Sequence, residues 1–301
     1  MATDLSASFN EQYININTKL KNDIIFRRFM RKPNISEATN EFIALAIQCE
    51  NSEQPAFAGQ TYIGAAKCEA SAGNFLGEAE QYIAAARQFM KAEKKLAALK
   101  FYSPDRENLE AAIGCYMQAF SKYPEKSPIR VSILLELAKE LVELDQKLEA
   151  LAYYEQAVDI IEDSTMKLML MKNLVNLLIE CGKYDIALET ANKICDSNFH
   201  IPEGVLTEIQ VSRVLLVLLV KPDEDSKSES LKQLLDHLLH DEDTEAIPFN
   251  IDLRLKLQSI IISSSSMDQQ SLISIAADTK PFLTMQQRNL LETLIVEKKS
   301  D

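Results

Sequence analysis

A chain of 301 residues with 45 acidic and 32 basic side chains has a formal charge of −13. That balance excludes a general nucleic-acid binder, because phosphate contacts need a positive footprint. Only seven glycines are present, far below the usual share of ~7 %, and long runs of Ala, Leu, Glu, Lys and Gln favour helix nearly everywhere.

The first element expected is an amphipathic helix within residues 9–33, with Phe9, Tyr13, Ile16, Leu20, Ile24 and Phe26 on its apolar stripe. Six cations, Lys19, Lys21, Arg27, Arg28, Arg31 and Lys32, crowd its end before Pro33. One or two would satisfy a helix dipole; six on an acidic protein read equally as a docking patch for an acidic surface. Asn34 and Glu37 have the spacing of a capping box for the next helix.

Helices near 36–50, 55–72 and 75–99 follow, and Gly59, Gly64, Ala65, Ala66 and Ala70 make the second of them thin enough for close neighbours. Residues 101–105 read as a loop, with Asp105 or Asn108 capping the helix beyond it.

A repeat then emerges. In residues 134–162, Leu134, Leu137, Ala138 and Leu141 share one helix face, the rhythm slips at Asp145–Lys147, and Ala150, Tyr154 and Ala157 share a face of the next helix. Small residues at a crossing let two helix axes approach towards ~8 Å. The second-helix signature recurs at Ala112, Tyr116, Ala119 and Pro124, at Ala79, Ile83 and Ala86 after Gly73-Asn74, and at Tyr184 and Ala187. The last of these follows a helix carrying Met171, Leu174, Val175 and Leu178 and ending at Gly182. Alanines 79, 112, 150 and 187 are spaced by 33, 38 and 37 residues, the period of a tetratricopeptide-type repeat. The fold class expected is therefore all-α, a tetratricopeptide-like solenoid of helical hairpins. It would form one elongated domain over residues 1–301, with repeats at about 36–195 and further helices at about 205–298.

Residues 196–204 form a break and an expected boundary. Helix 205–220 is apolar nearly all round in its second half, so Val211, Leu215 and Leu216 must be covered by later helices or by a partner. Arg213 inside that run needs a carboxylate or carbonyls if buried, unless it snorkels to the surface. Residues 221–230 read as an exposed acidic linker bearing Asp223, Glu224 and Asp225, followed by a helix at 229–240 and a second acidic group, Asp241, Glu242 and Asp243. Helices at 250–262, 268–277 and 284–297 complete the chain, the last with Thr284 and Gln287 in capping-box positions.

Signs of chemistry are sparse. The sequence has no phosphate-cradling glycine loop, no GxSxG and no HExxH. His237 and His240 share a helix face beside Asp236 and Asp241, a pattern that can help hold a metal, but histidines near a helix end ordinarily just favour the dipole and water. Cys49, Cys68, Cys115, Cys181 and Cys195 are odd in number and lack a CxxC pair, as in reduced, buried, cytosolic thiols. The run Val211–Val220 is too short for the ~20 residues of a membrane span, and the N-terminal residues form no apolar signal core. The expectation is a cytoplasmic, non-enzymatic binding protein without cofactor, metal, nucleic acid or membrane insertion.

Three segments carry a family resemblance: FRRFMRKPNISEA at 26–38, VSRVLLVLLVKP at 211–222 and LTMQQRNLLETLIVE at 283–297. They are similar, in order, to the 40-kDa huntingtin-associated protein family, in which a basic helix end, a leucine run after Val-Ser-Arg and a Leu-rich terminus recur. The resemblance implies a helical-repeat protein enclosed one-to-one between the HEAT-repeat domains of huntingtin and stabilising that scaffold. It also implies an early-endosomal Rab GTPase as a second partner, a role in vesicle transport, and a cytoplasmic, endosome-associated location, with a nuclear pool left open. The chain departs from longer members by lacking their Pro-rich insert, since only residues 196–210 separate Cys195 from Val211. On this reading Arg27, Arg28, Arg31 and Lys32 face acid on the partner. Asp223, Glu224, Asp225, Asp241, Glu242 and Asp243 face base, and Val211, Arg213, Leu215 and Leu216 join the interface. The alternative is a free tetratricopeptide adaptor whose concave groove binds peptide tails. The helix stretches LLELAKELVEL and LMLMKNLVNLLIE are more apolar than such a groove needs.

Overall fold

Helix is dictated almost everywhere by the scarcity of Gly and Pro, and the boundaries by a few capping residues. A computed structural model describes residues 2–26, 35–101, 103–197, 200–240, 248–266 and 269–300. Among them are α1 (Ala2–Phe26), α2 (Ile35–Asn51), α3 (Pro55–Ala72), α4 (Phe75–Ala98), α5 (Glu107–Ser121), α6 (Pro128–Glu143) and α7 (Lys147–Ile160). Then come α8 (Ser164–Glu180), α9 (Tyr184–Asp196), α10 (Glu203–Val220), α11 (Glu229–His240), α12 (Ile251–Ser265), α13 (Gln269–Thr279) and α14 (Met285–Ser300). No strand occurs among the described residues. The chain is an all-α array of sequentially adjacent helices.

Two compact units divide at Tyr153–Tyr154, inside α7, rather than at residues 196–204. That later break joins α9 to α10, which pack on one another within the second unit.

In the first unit, α1 lies on α2 with Phe9, Ile16 and Tyr13 against Phe42, Leu45 and Phe57. The ring centroids of Phe9 and Phe57 are 4.6 Å apart, and those of Tyr13 and Phe42 are 5.5 Å apart. The stripe expected of this helix is realised where its side chains are described. Helix α3 is thin: a Cβ at Gly59 would come within 2.9 Å of the Phe89 ring on α4, and one at Gly64 within 3.0 Å of the Phe42 ring on α2. Gly73, at φ 77°, ends α3 in the left-handed region that only glycine enters cheaply. Asn74 then caps α4 by accepting from the Gly77 amide at 3.1 Å.

The repeat register differs from the expected one. Ala79 lies on α4 and Ala112 on α5, consecutive helices, so those two alanines do not mark equivalent positions. The equivalent of Ala112-Tyr116-Ala119 on α5 and Ala150-Tyr154-Ala157 on α7 is Ala58-Tyr62-Ala65 on α3, with all six alanines fully buried. The 24-residue α4 stretches the first interval to 54 residues and hides the register from a fixed-period reading. Helix α5 also begins without the expected cap: Arg106, at φ 50°, takes the N-cap position and makes no side-chain capping bond.

The second unit is less regular. Helices α8 and α9 pair, and α10 packs on α9, but α14 returns to pack on both α8 and α10. Its start is the expected capping box, in which the Thr284 amide donates to Gln287 Oε1 at 2.9 Å and the Gln287 amide to Thr284 Oγ1 at 3.4 Å. Gln287 Nε2 then donates to the Glu208 carbonyl on α10 at 2.9 Å and to Ser212 Oγ at 3.1 Å. Helix α12 runs through Ser263–Ser265, beyond its expected end, because Ser263 and Ser264 are buried and Ser265 Oγ bonds back to the Ile261 carbonyl.

Candidate functional site

The expected partner-binding residues divide into three groups. Val211, Arg213, Leu215 and Leu216 are buried within the second unit, so the expectation that they meet a partner is corrected. Their run is apolar all round because α9, α11, α12 and α14 surround α10. Asp223, Glu224 and Asp225 are exposed on and beside a 3-10 turn, Glu224–Ser226, with Glu224 paired to Lys227. Arg27, Arg28, Arg31, Lys32, Asp241, Glu242 and Asp243 lie outside the described residues, as does Asn34 of the expected capping pair. Lys19, counted in the basic group, is already paired with Glu41 at 2.8 Å.

Arg213 neither snorkels nor meets a carboxylate directly. Its Nε donates to Asn192 Oδ1 at 2.8 Å, Nη1 to Gln210 Oε1 at 2.8 Å, and Nη2 to Ser230 Oγ at 2.7 Å and Ser228 Oγ at 3.2 Å. Ser230 in turn donates to Asp196 Oδ1 at 2.5 Å. The cation is thus held by four neutral oxygen acceptors, with the Cys195 thiol also beside it and its counter-charge one hydroxyl away. Burial pushes its pKa below the usual arginine value.

The first unit presents a polar face between α4 and α6. Arg87 forks onto Glu136, with Nε to Oε1 at 2.6 Å and Nη2 to Oε2 at 2.8 Å, and Tyr116 Oη donates to the same Oε1 at 2.8 Å. Lys94 bridges Glu140 and Glu143, each at 2.6 Å. Arg87 chiefly, and Tyr116 against the opposing effect of burial, hold the Glu136 carboxyl below its usual range. A groove that clamps a peptide carboxylate needs cations free to turn towards it. Here Arg87 and Lys94 are neutralised by their own chain.

A groove of about 550 Å³ opens between α1 and α2, lined by Gln12, Asn15, Ile16, Lys19, Glu41 and Gln48 among others. A smaller one of about 200 Å³ lies among α8, α10 and α14, beside the Lys172–Glu208 ion pair and Gln287. In the second, Ser212 Oγ donates to the Glu208 backbone carbonyl at 3.0 Å, and the Glu208 carboxylate is paired with Lys172. Burial raises Cys49, Cys68 and Cys195 above the usual range and pushes Cys115 up to about 12, which disfavours the reactive thiolate at these four. Among the described residues, no group of three or more His, Cys, Asp or Glu could hold a metal ion. None of their helices is long and apolar enough to cross a membrane.

What the sequence reading missed is the outward apolar face of α12. Leu253, Leu257, Ile260 and Ile261 point inward, while Ile251, Leu255 and Ile262 are 63 %, 56 % and 60 % exposed. The signal was present: apolar residues at 251, 253, 255 and 257 cannot all fit one stripe of a 3.6-residue helix. Ile273 on α13 and Phe282 beyond it, its ring under Lys256 Nζ at 5.5 Å, are also exposed. Contacts of this kind suit protein surfaces rather than small substrates.

Comparison with known proteins bears on which. No family model matches the chain. It is 22 % identical to the 40-kDa huntingtin-associated protein of Mus musculus over 97 % of its own length and 93 % of that protein's, and 21 % identical to the Rattus norvegicus protein over the same shares. The chain is a distant, near full-length homologue of the 40-kDa huntingtin-associated protein. The resemblance carried by residues 26–38, 211–222 and 283–297 therefore extends across both units. It covers the regular repeats and the helices after α9 alike, including α10, whose Val-Ser-Arg-Val-Leu-Leu stretch forms a core rather than a docking face.

Proposed function

We propose that the chain is a non-catalytic partner of a huntingtin-type scaffold, docking one-to-one between its HEAT-repeat domains and stabilising it in the cytoplasm. The observation that carries this reading is the similarity to a huntingtin-associated protein along nearly all of both chains. The outward apolar residues of α12 and α13 and the internally neutralised α4–α6 face support it over capture of peptide tails. Apolar contact supplies most of the affinity, while Asp223, Glu224 and Asp225, with Arg27, Arg28, Arg31, Lys32, Asp241, Glu242 and Asp243, steer encounter and set register. Through the scaffold, and through an early-endosomal Rab GTPase, the protein takes part in vesicle transport.

The test is isolation of the tagged chain at its normal level from its own cells, followed by partner identification and mass determination of the intact complex. The expected result is the huntingtin of the same cells in a one-to-one complex. A chain that is monomeric in extract, or stoichiometric with some other protein, removes the reading. Reversal of Arg27, Arg28 and Arg31 to glutamate should slow association more than it speeds dissociation, and added salt should shrink the difference. An unchanged on-rate at low salt takes the basic residues out of the interface.

A further inference from the structure

Arg213 is a buried cation without a directly bonded anion. Removing a guanidinium from water is costly, and neutral acceptors offset that cost less than an anion does. One of those acceptors, Ser228, is only half-buried. It ends the acidic segment 221–228, most of which is exposed, and its Oγ accepts from the Leu231 amide at 3.4 Å in the first turn of α11. Around it stand Lys227, paired with Glu224, and Lys232, whose amide donates to the Ser228 carbonyl at 3.0 Å. The opposing charges are Asp196, behind Ser230 and itself exposed, and Glu229 next in the chain, while the Cys195 thiol at the end of α9, kept neutral by burial, also faces the guanidinium.

We propose that Ser228 is a phosphorylation site whose phosphate engages the buried guanidinium of Arg213 and pins the start of α11 to α10. The donor is a nucleoside triphosphate acting through a protein kinase that prefers acidic surroundings. Asp223, Glu224 and Asp225 precede the serine and Glu229 follows it. The bond between the γ-phosphorus and its bridging oxygen breaks, the Ser228 Oγ–P bond forms, the hydroxyl proton goes to solvent and the nucleoside diphosphate leaves. The phosphate carries close to two negative charges and three acceptor oxygens. It meets the Nη2 that already points at Ser228 and the first-turn amides of α11, among them that of Leu231, which already donates to the Ser228 hydroxyl; both favour an anion. Asp196, being exposed, can turn to water as the phosphate arrives. Ser230 has the opposite character: its hydroxyl donates to Asp196, so a phosphate there would set like charges together.

The experiment uses the full chain with phosphoserine placed genetically at 228 or, as a control, at the exposed Ser226. Titration followed by phosphorus NMR should show the second ionisation of the 228 phosphate lowered by about a unit or more from the ~6 of a free phosphoserine, with the 226 phosphate unmoved. The melting midpoint should rise only for the 228 form. Arg213→Gln should abolish the lowering; should that variant not fold, the contrast between positions 228 and 226 in the native sequence carries the test. Protein isolated from its own cells under phosphatase inhibition should hold phosphate on Ser228. Tryptic cleavage after Lys227 puts it on a different peptide from Ser226, and fragmentation separates it from Ser230. Identical titrations at 228 and 226, or phosphate found only on Ser226 or Ser230, would overturn the proposal.

Discussion

The two units solve the same problem, burying apolar helix faces, by different means. In the first, each helix from α1 to α6 packs chiefly on its chain neighbours, and fully buried alanines at 58, 65, 112, 119 and 150 set how closely they approach. In the second, α14 comes back across more than a hundred residues, as in the 3.0 Å bond from Gln286 to Glu180, and α10 sits among four other helices. A local stack is specified by side-chain size at repeated positions. A closed one depends on a few long-range contacts, each with a larger share of the stability.

The largest effect should therefore come from α14. Leu290, Leu291 and Leu294 are almost wholly buried, and Leu291→Ala should cost about 2–5 kcal/mol, read from urea unfolding. Hydrogen exchange should show that loss spreading to α8 and α10. Protection lost only in α14 would make the second unit as local as the first.

Next in size, Ala112→Leu should overpack the first unit by about 1–3 kcal/mol. Amides of α4 to α6 should lose protection while those of α1 keep it. A melting midpoint equal to that of the native chain would mean that Ala112 does not set a helix crossing.

Glycines give a subtler contrast. Nothing lies within 4 Å of a Cβ built on Gly114, mid-helix in α5, so Gly114→Ala should stabilise by about 0.5–1 kcal/mol. Gly59→Ala has the same intrinsic gain but meets the Phe89 ring, and should stabilise less or destabilise. Equal gains at both positions would show that the ring moves aside freely.

The smallest effect concerns pH. Since Arg87 and Tyr116 hold Glu136 below its usual range, its contribution to stability is complete above the unfolded carboxylate pKa of ~4.3 and is lost as pH falls through the folded value. Glu136→Gln should thus cost most at neutral pH, and the gap from the native chain should close in acid. Glu136 is partly solvated, so the gap is a modest one. A gap independent of pH would make the α4–α6 contact one of packing.

Much of this architecture was legible because helix boundaries follow from local chemistry. Gly73-Asn74, Gly182 and Thr284 with Gln287 marked ends and starts that the structure places within a residue or two. The repeat register departs from the fixed period at Ala79 because α4 is unusually long, while Ala58, Tyr62 and Ala65 carry the right offsets. The interaction surface was read less well. Apolarity alone does not say which way a side chain faces: the run Val211–Val220 is largely buried, whereas Ile251, Leu255 and Ile262 are exposed. The neutral ring of acceptors around Arg213 comes from α9, α10 and the segment leading into α11, and no local pattern announces it.

Cys49, Cys68 and Cys115 are buried in the first unit, whereas Cys181 and Cys195 are partly accessible in the second. The five thiols thus amount to a set of internal clocks. An alkylating reagent applied under native conditions labels each sulfur only as fast as its surroundings breathe open. Mass-resolved labelling would time the opening of α2, α3 and α5 separately from that of the α8–α9 turn and the end of α9. A bound partner would announce itself as a stopped clock, with no tag or dye introduced.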